Sequence, residues 1–185
     1  MGKVTVHGSI FFLLRKFINH RFPEGTWEQF VKDGNTPHQE FELTQAYGIE
    51  EIGAIMAQAS KASGVPVELL KEQFGEYLVP DLFHLYAHYL KPSWKTYDVL
   101  LHTETVMHGA VRKLNSAAQP PVLNVSKISD NLIMIDYFSK RRMGSLAVGI
   151  IKGIAKYYGE ESRIHVEPTT TADAERVQIK VHFKK

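Results

Sequence analysis

The spacing of apolar residues changes near residue 120 of this 185-residue chain, and that change limits the folds open to it. Before it, apolar residues recur at helical spacing, which predicts helices over 4–19, 26–33, 44–61, 66–78 and 93–114. Pro80 is expected to end or kink the fourth of these before a helical continuation through Tyr89. After it, alternating apolar residues predict strands over 121–127, 132–138, 163–167 and 176–183, with an apolar helix over 143–157. Such alternation is typical of an antiparallel sheet. The sequence therefore predicts an α+β fold, with a helical N-terminal half packed on a helix-backed antiparallel sheet.

Composition excludes several classes of function. A net charge of +2, with acids and bases interspersed, offers no electrostatic basis for binding nucleic acid. The absence of cysteine excludes disulfides, thiolate ligation of iron and iron–sulfur clusters, and it fits a reducing compartment. No apolar run approaches the roughly 18 residues of a membrane-spanning helix. We therefore expect a cytoplasmic protein that does not insert into membranes.

Polar side chains occupy alternate positions where the predicted strand 132–138 ends, at Tyr137, Ser139 and Arg141. In an extended chain such side chains project to one face. A guanidinium grips a carboxylate through two hydrogen bonds, and hydroxyls can satisfy its remaining lone pairs. Beside apolar surface, this cluster suits a carboxylate on an otherwise apolar molecule, of which haem with its two propionates is one. The alternative is a strand end that merely alternates with polar residues.

Two histidines lie in the predicted helix 93–114, and they are candidates for an axial ligand to haem iron. His102 and His108 are six residues apart and so lie on different faces. Leu101, Thr105 and Val111 place His108 on the inward apolar stripe of this helix. A lone helical histidine can equally be an exposed or hydrogen-bonded structural residue.

Taken together, these segments resemble the haem nitric oxide/oxygen binding (H-NOX) family, the sensor domain of soluble guanylate cyclases that also occurs as free-standing bacterial proteins. The resemblance rests on His108, on Pro120-Pro121 twelve and thirteen residues later, on Tyr137-x-Ser139-x-Arg141, and on Val148-Gly149-Ile150-Ile151-Lys152-Gly153. It implies that haem b is the cofactor, that His108 ligates its iron, and that Tyr137, Ser139 and Arg141 bind the propionates. Pro121 matches the proline that presses on the macrocycle and bends it. It also implies a single sensor domain over 1–185, with a helical part over about 1–60 and a haem-cradling part over about 61–185.

The resemblance also predicts which gas is bound. Oxygen-binding members carry a tyrosine five residues beyond the arginine, and here that position is Leu146; two supporting positions fall on Ile10 and Leu78. A dry pocket without a hydrogen-bond donor leaves bound dioxygen unstabilised, whereas nitric oxide and carbon monoxide need less help. We therefore predict a nitric oxide sensor that excludes oxygen, with carbon monoxide as a further ligand. His7, three residues before Ile10, either shares this pocket or lies at the start of the first helix.

A sensor of this kind is not an enzyme and signals through a second protein. The resemblance implies that nitric oxide breaks the iron–histidine bond and lets the haem relax, and that the effector is a separate protein such as a histidine kinase, a diguanylate cyclase or a chemotaxis protein. Two alternatives remain open. A binding module for an apolar carboxylate without haem would explain the Tyr/Ser/Arg cluster but not His108. A peroxidase-like haem enzyme needs polar distal groups, and apart from His7 the inferred pocket has none.

Overall fold

The computed structural model describes residues 3–114 and 120–184. Its elements in chain order are β1 (Thr5–His7), α1 (Gly8–Arg21), α2 (Thr26–Asp33), β2 (Ala46–Gly48), α3 (Ile49–Ser63), α4 (Val67–Leu85), α5 (Thr96–His102), a π-helical segment (Thr103–His108), α6 (Gly109–Leu114), β3 (Val122–Ser129), β4 (Leu132–Phe138), α7 (Gly144–Tyr157), β5 (Ile164–Pro168) and β6 (Arg176–Phe183). The predicted α+β class is confirmed.

The N-terminal half contains a short β-ribbon that the sequence analysis missed. The predicted helices 4–19 and 44–61 begin too early, because β1 and β2 pair antiparallel with Val6 opposite Tyr47. His7 closes β1 and caps α1, accepting a hydrogen bond at its Nδ1 from the main-chain N–H of Ser9. The ribbon depends on pairing between segments about 40 residues apart, which local periodicity does not reveal.

Two predicted helices differ from the structure in their course. α4 does not end at Pro80 but continues to Leu85. The predicted helix 93–114 begins at Thr96 rather than near Ser93, and its middle, Thr103–His108, is π-helical. In this segment the main-chain N–H of Gly109 donates to the carbonyl of Glu104, five residues earlier. π-Helical turns are rare and frequently lie at functional sites.

Helices α4 and α7 pack with their backbones in contact. A Cβ atom built on Gly149 would lie 1.9 Å from the carbonyl oxygen of Glu72, and one on Gly75 would lie 2.4 Å from that of Leu146. Glycine is therefore required at these positions for the helices to approach this closely. The glycines in the apolar segment 148–153 thus set the distance between the two halves of the fold.

Within the described residues, four strands form an antiparallel sheet in the order β3-β4-β6-β5. These strands and α7 match the predicted segments to within two residues. The inner face of the sheet, which includes Ile133, Ile135, Val177 and Ile179, is buried in an apolar core with residues of α5 and α7. A second core joins α1–α4, and Ile150 of α7 packs against both cores. Over residues 3–114 and 120–184, no helix is long and apolar enough to cross a membrane.

Candidate functional site

Tyr137, Ser139 and Arg141 converge at the end of β4, although not by the route predicted. Tyr137 lies on the buried face of β4, which ends at Phe138. The chain then turns: the main-chain N–H of Arg142 donates to the Ser139 carbonyl at 3.1 Å, and that of Arg141 donates to the Ser139 Oγ at 3.2 Å. A turn closed by the serine hydroxyl, rather than a continued extended strand, therefore brings the three side chains together.

The three side chains are held by hydrogen bonds and are shielded from water. The hydroxyl of Ser139 and the backbone of Met143 lie next to the phenol of Tyr137. Burial raises the pKa of Tyr137, so its phenol stays protonated and can donate. Arg141 donates from Nε to the main-chain carbonyl of Thr5 at 2.7 Å, which orients the plane of its guanidinium. Burial lowers the pKa of Arg141, but a guanidinium stays charged in proteins.

A cleft of about 360 Å³ opens beside this cluster. The β3–β4 register pairs Val122 with Phe138, so Pro121 and Ser139 lie at the same end of this strand pair. The cleft is lined by three short segments from β1, β3 and the turn after β4: Lys3, Val4, Thr5, Pro120, Pro121, Val122, Phe138, Ser139, Lys140 and Arg141. Among these described residues three are cationic and none is acidic, so the cleft favours an anionic group.

His108 lies close to Pro121, which also lines the cleft. Its side chain is 17% exposed, and its Nδ1 lies 2.9 Å from the Oε2 of Glu104. The backbone of Pro121 lies against the imidazole and raises the pKa of His108, although burial has the larger, opposite effect. Burial lowers the pKa of His108, which favours the neutral imidazole, the form that binds metal ions.

Glu104 is the residue at this site that the sequence analysis missed. It contacts His108, and it also accepts a hydrogen bond from the main-chain N–H of Leu123 at 3.0 Å. The spacing of four residues between Glu104 and His108 was an available signal, because side chains at i and i+4 of a helix are neighbours.

The other candidate histidines have structural partners. The ring of His102 stacks on that of Trp94 with 4.8 Å between centroids. This contact gives His102 a structural role. The Nδ1 of His7 lies 2.8 Å from the Oγ of Ser9 at the start of α1.

The predicted distal residues belong to one apolar cluster. Leu78 of α4 is buried in the core of the N-terminal half, and Ile10 and Leu146 pack against that core. Phe74 and Met143 belong to the same cluster. The structure thus places these three side chains in one hydrophobic cluster that joins α1, α4 and α7.

A larger surface cleft, of about 490 Å³, lies near the C-terminal end of α7. It is lined by side chains of mixed charge that include Glu76, Lys152, Lys156 and His165. It contains none of the predicted site residues. We therefore take the smaller cleft beside Arg141 as the candidate site, because its side chains can bind a carboxylate.

Comparison with known proteins supports the predicted family and fold independently of the site's geometry. The model of a family described as haem-NO-binding matches residues 7–166. Similar solved structures include an H-NOX protein from S. oneidensis in the Fe(II)NO state, with 17% identity over 97% of this chain and 100% of that one and a TM-score of 0.85. Another is the unliganded Fe(II) H-NOX protein from K. algicida, with 16% identity over 97% of each chain and a TM-score of 0.85. A variant of the T. tengcongensis H-NOX protein shares 17% identity over 97% of this chain and 98% of that one, with a TM-score of 0.79. At these identities the likeness shows the fold, and no curated protein matches the chain.

Proposed function

Because the chain belongs to the haem-NO-binding family, we propose that it binds haem b and senses nitric oxide. Domains of this family are haem-based gas sensors rather than catalytic domains.

The residues of the candidate site fit a haem group. A neutral, mostly buried imidazole at His108 can ligate iron. The cationic cleft, which Pro121 lines, can bind carboxylates. Arg141 would form charge-assisted hydrogen bonds to a propionate, and the hydroxyls of Tyr137 and Ser139 would add neutral ones. When bound, haem supplies a ferrous iron that can coordinate nitric oxide.

The single observation that carries this proposal is the position of Pro121. Its backbone lies against the imidazole of His108, and it also lines the cleft beside Ser139 and Arg141. One residue therefore joins an iron-binding group to a carboxylate-binding group. The carboxylate-binding module without haem accounts for the cleft but assigns no role to this buried imidazole.

The apolar cluster around Leu146 supports selectivity for nitric oxide. Ile10, Leu78 and Leu146 carry no hydrogen-bond donor in their side chains; Leu78 is buried, and the other two are half-buried against the same core. Dioxygen needs a donor to be held stably, whereas nitric oxide and carbon monoxide need less help. We infer that the ferrous protein binds nitric oxide and carbon monoxide and excludes oxygen.

Binding of nitric oxide would be transmitted to a partner as a change in how the two hydrophobic cores pack against each other. His108 belongs to the segment that precedes the sheet, and α7 contacts both cores. A shift at His108 propagates only if a partner binds the two arrangements with different affinity. We propose that this partner is a separate signalling protein, such as a histidine kinase, a diguanylate cyclase or a chemotaxis protein.

Titration of the purified apoprotein with haem, followed by absorption spectroscopy, tests the proposal. We expect an intense Soret band at one haem per chain and a further shift when nitric oxide is added to the reduced protein without air. A protein that binds a fatty acid but gives no Soret band would instead be the carboxylate-binding module. Turnover of peroxide by the haem-loaded protein would contradict the sensor and favour an enzyme.

A further inference from the structure

The carboxylate of Glu104 joins three groups from different parts of the chain. Its Oε2 accepts hydrogen bonds from the Nδ1–H of His108 at 2.9 Å and from the main-chain N–H of Leu123 at 3.0 Å. Its Oε1 pairs with the guanidinium of Arg112. The Glu104 side chain is 25% exposed and that of His108 17%, so solvent screens their contact only in part.

The contact with Glu104 determines which nitrogen of His108 carries the proton. An ionised carboxylate can only accept hydrogen bonds, so Nδ1 must donate. In the neutral imidazole Nε2 then carries the lone pair and is the nitrogen able to bind a metal. A carboxylate partner also raises the basicity of a metal-binding histidine and fixes the orientation of its ring.

The same carboxylate anchors the edge of the sheet. β3 is an edge strand, so alternate N–H groups point away from β4, and Glu104 accepts that of Leu123. In the β3–β4 register Leu123 lies opposite Tyr137. Glu104 therefore connects the imidazole of His108 to the strand pair that carries the proposed propionate-binding residues.

We propose that Glu104 is a positioning residue for His108, an inference that rests on the haem-binding function proposed above. Its carboxylate holds the imidazole in the Nδ1–H tautomer and makes Nε2 a stronger donor to iron. With haem bound, movement of His108 away from the iron would have to break its contact with Glu104, break the bond from Glu104 to Leu123, or displace β3. Glu104 would thus influence how readily His108 is released and would pass that release to the sheet.

The substitution Glu104→Gln isolates the charge, because glutamine keeps the length of the side chain and an acceptor oxygen for Leu123. In the ferrous protein we expect a lower iron–histidine stretching frequency by resonance Raman spectroscopy and a higher reduction potential. Haem loss should be roughly 10- to 100-fold faster, the usual effect of removing a partner of a metal-binding residue. Stopped-flow mixing with nitric oxide should show faster release of His108.

Two further variants control for general effects. Glu72 of α4 is 23% exposed and pairs with Lys152 at 2.5 Å, away from His108, so Glu72→Gln should leave all four measurements at the parent values. Arg112→Gln removes the ion pair at Oε1 but not the contact with His108, so it should not lower the stretching frequency. An Arg112→Gln variant that reproduced the effect of Glu104→Gln would overturn the assignment, as would an unchanged frequency and potential in Glu104→Gln.

Nuclear magnetic resonance of the histidine ring nitrogens in the apoprotein tests the contact without haem. We expect the parent to hold His108 protonated at Nδ1, and Glu104→Ala to lose that preference. A parent protonated at Nε2 alone would overturn the inference whether or not the variants fold. If the parent gives no Soret band with haem, the proposed function fails, while this measurement still decides whether Glu104 positions His108.

Discussion

Arg141 and Thr5 are separated by 136 residues in the sequence, yet the Nε of Arg141 donates to the Thr5 carbonyl at 2.7 Å. The bond joins the turn after β4 to the N-terminal β-ribbon, at the cleft that both line. The guanidinium is therefore oriented before any ligand arrives, and less conformational entropy is lost when a carboxylate binds.

Replacement of Arg141 should weaken haem binding more than replacement of Ser139. Hydrogen bonds to charged groups contribute about 1.5–3 kcal/mol each and neutral ones about 1 kcal/mol. Arg141→Ala should therefore lose haem roughly 10- to 100-fold faster than the parent. Transfer of haem to excess apomyoglobin measures the rates. Arg142→Gln is the matched control, because the neighbouring Arg142 is exposed and pairs with Glu175. Equal rates in all variants and the parent would count against propionate binding at this cluster.

His108→Gly should abolish or severely weaken the ligation of iron by the protein. The imidazole is mostly buried and lies against Pro121, and added imidazole should enter the space left by the side chain and restore a spectrum like that of the parent. Absorption spectra of the ferrous and ferric forms check this. His102→Ala is the control, because the ring of His102 stacks on Trp94 and should not ligate iron. If His108→Gly kept the parent's spectra, His102 or His7 would have to be considered as the ligand.

The reduced protein should bind nitric oxide and carbon monoxide but form no stable complex with oxygen, and its nitric oxide complex should be wholly or largely five-coordinate. The reason is the apolar cluster of Ile10, Leu78 and Leu146, which offers no donor. Leu146→Tyr should move the protein towards oxygen binding, although one hydroxyl does not suffice if its supporting residues leave it loosely placed. Leu146→Phe controls for the added ring.

Spectra of the reduced parent in air decide this prediction. A long-lived oxygen complex would contradict the apolar-pocket interpretation and make His7 the first residue to test as its donor. A six-coordinate ferrous form before any gas is added would also implicate His7, in that case as a second ligand to iron.

Gly149→Ala should destabilise the fold through the contact between α4 and α7. The new Cβ would meet main-chain atoms of Glu72, 1.9 Å from the carbonyl oxygen, so only a movement of the helices can relieve the clash. Overpacking of this kind costs about 1–3 kcal/mol, or a melting midpoint lower by about 2–4 °C per kcal/mol. Thermal unfolding followed by circular dichroism measures it.

Gly53→Ala provides the opposite case within the same protein. Gly53 lies inside α3, and a Cβ built there meets no atom within 4 Å. Alanine is about 1 kcal/mol better than glycine inside a helix, so this variant should melt at a slightly higher temperature than the parent. A loss of stability in Gly53→Ala equal to that in Gly149→Ala would show that the close helix contact is not the cause.

The sequence by itself determined the features that depend on neighbouring residues. Apolar periodicity is a local signal, and so the sheet strands and α7 are predicted to within two residues. The spacing of His108, Pro121 and the Tyr137–Arg141 segment likewise depends only on order along the chain, and it was enough to identify the family. The π-helical turn at His108 escaped prediction, because packing outweighs local propensity at such a position.

Only the tertiary structure decided how the site is supported. The β1–β2 ribbon, the bond from Arg141 to Thr5 and the bond from Glu104 to the N–H of Leu123 each join segments that meet only when the chain is folded. Their formation depends on long-range packing that positions a specific donor against a specific acceptor. No local pattern encodes that distance, so the residues proposed to contact the haem could be named from the sequence, while those that hold them in place could not.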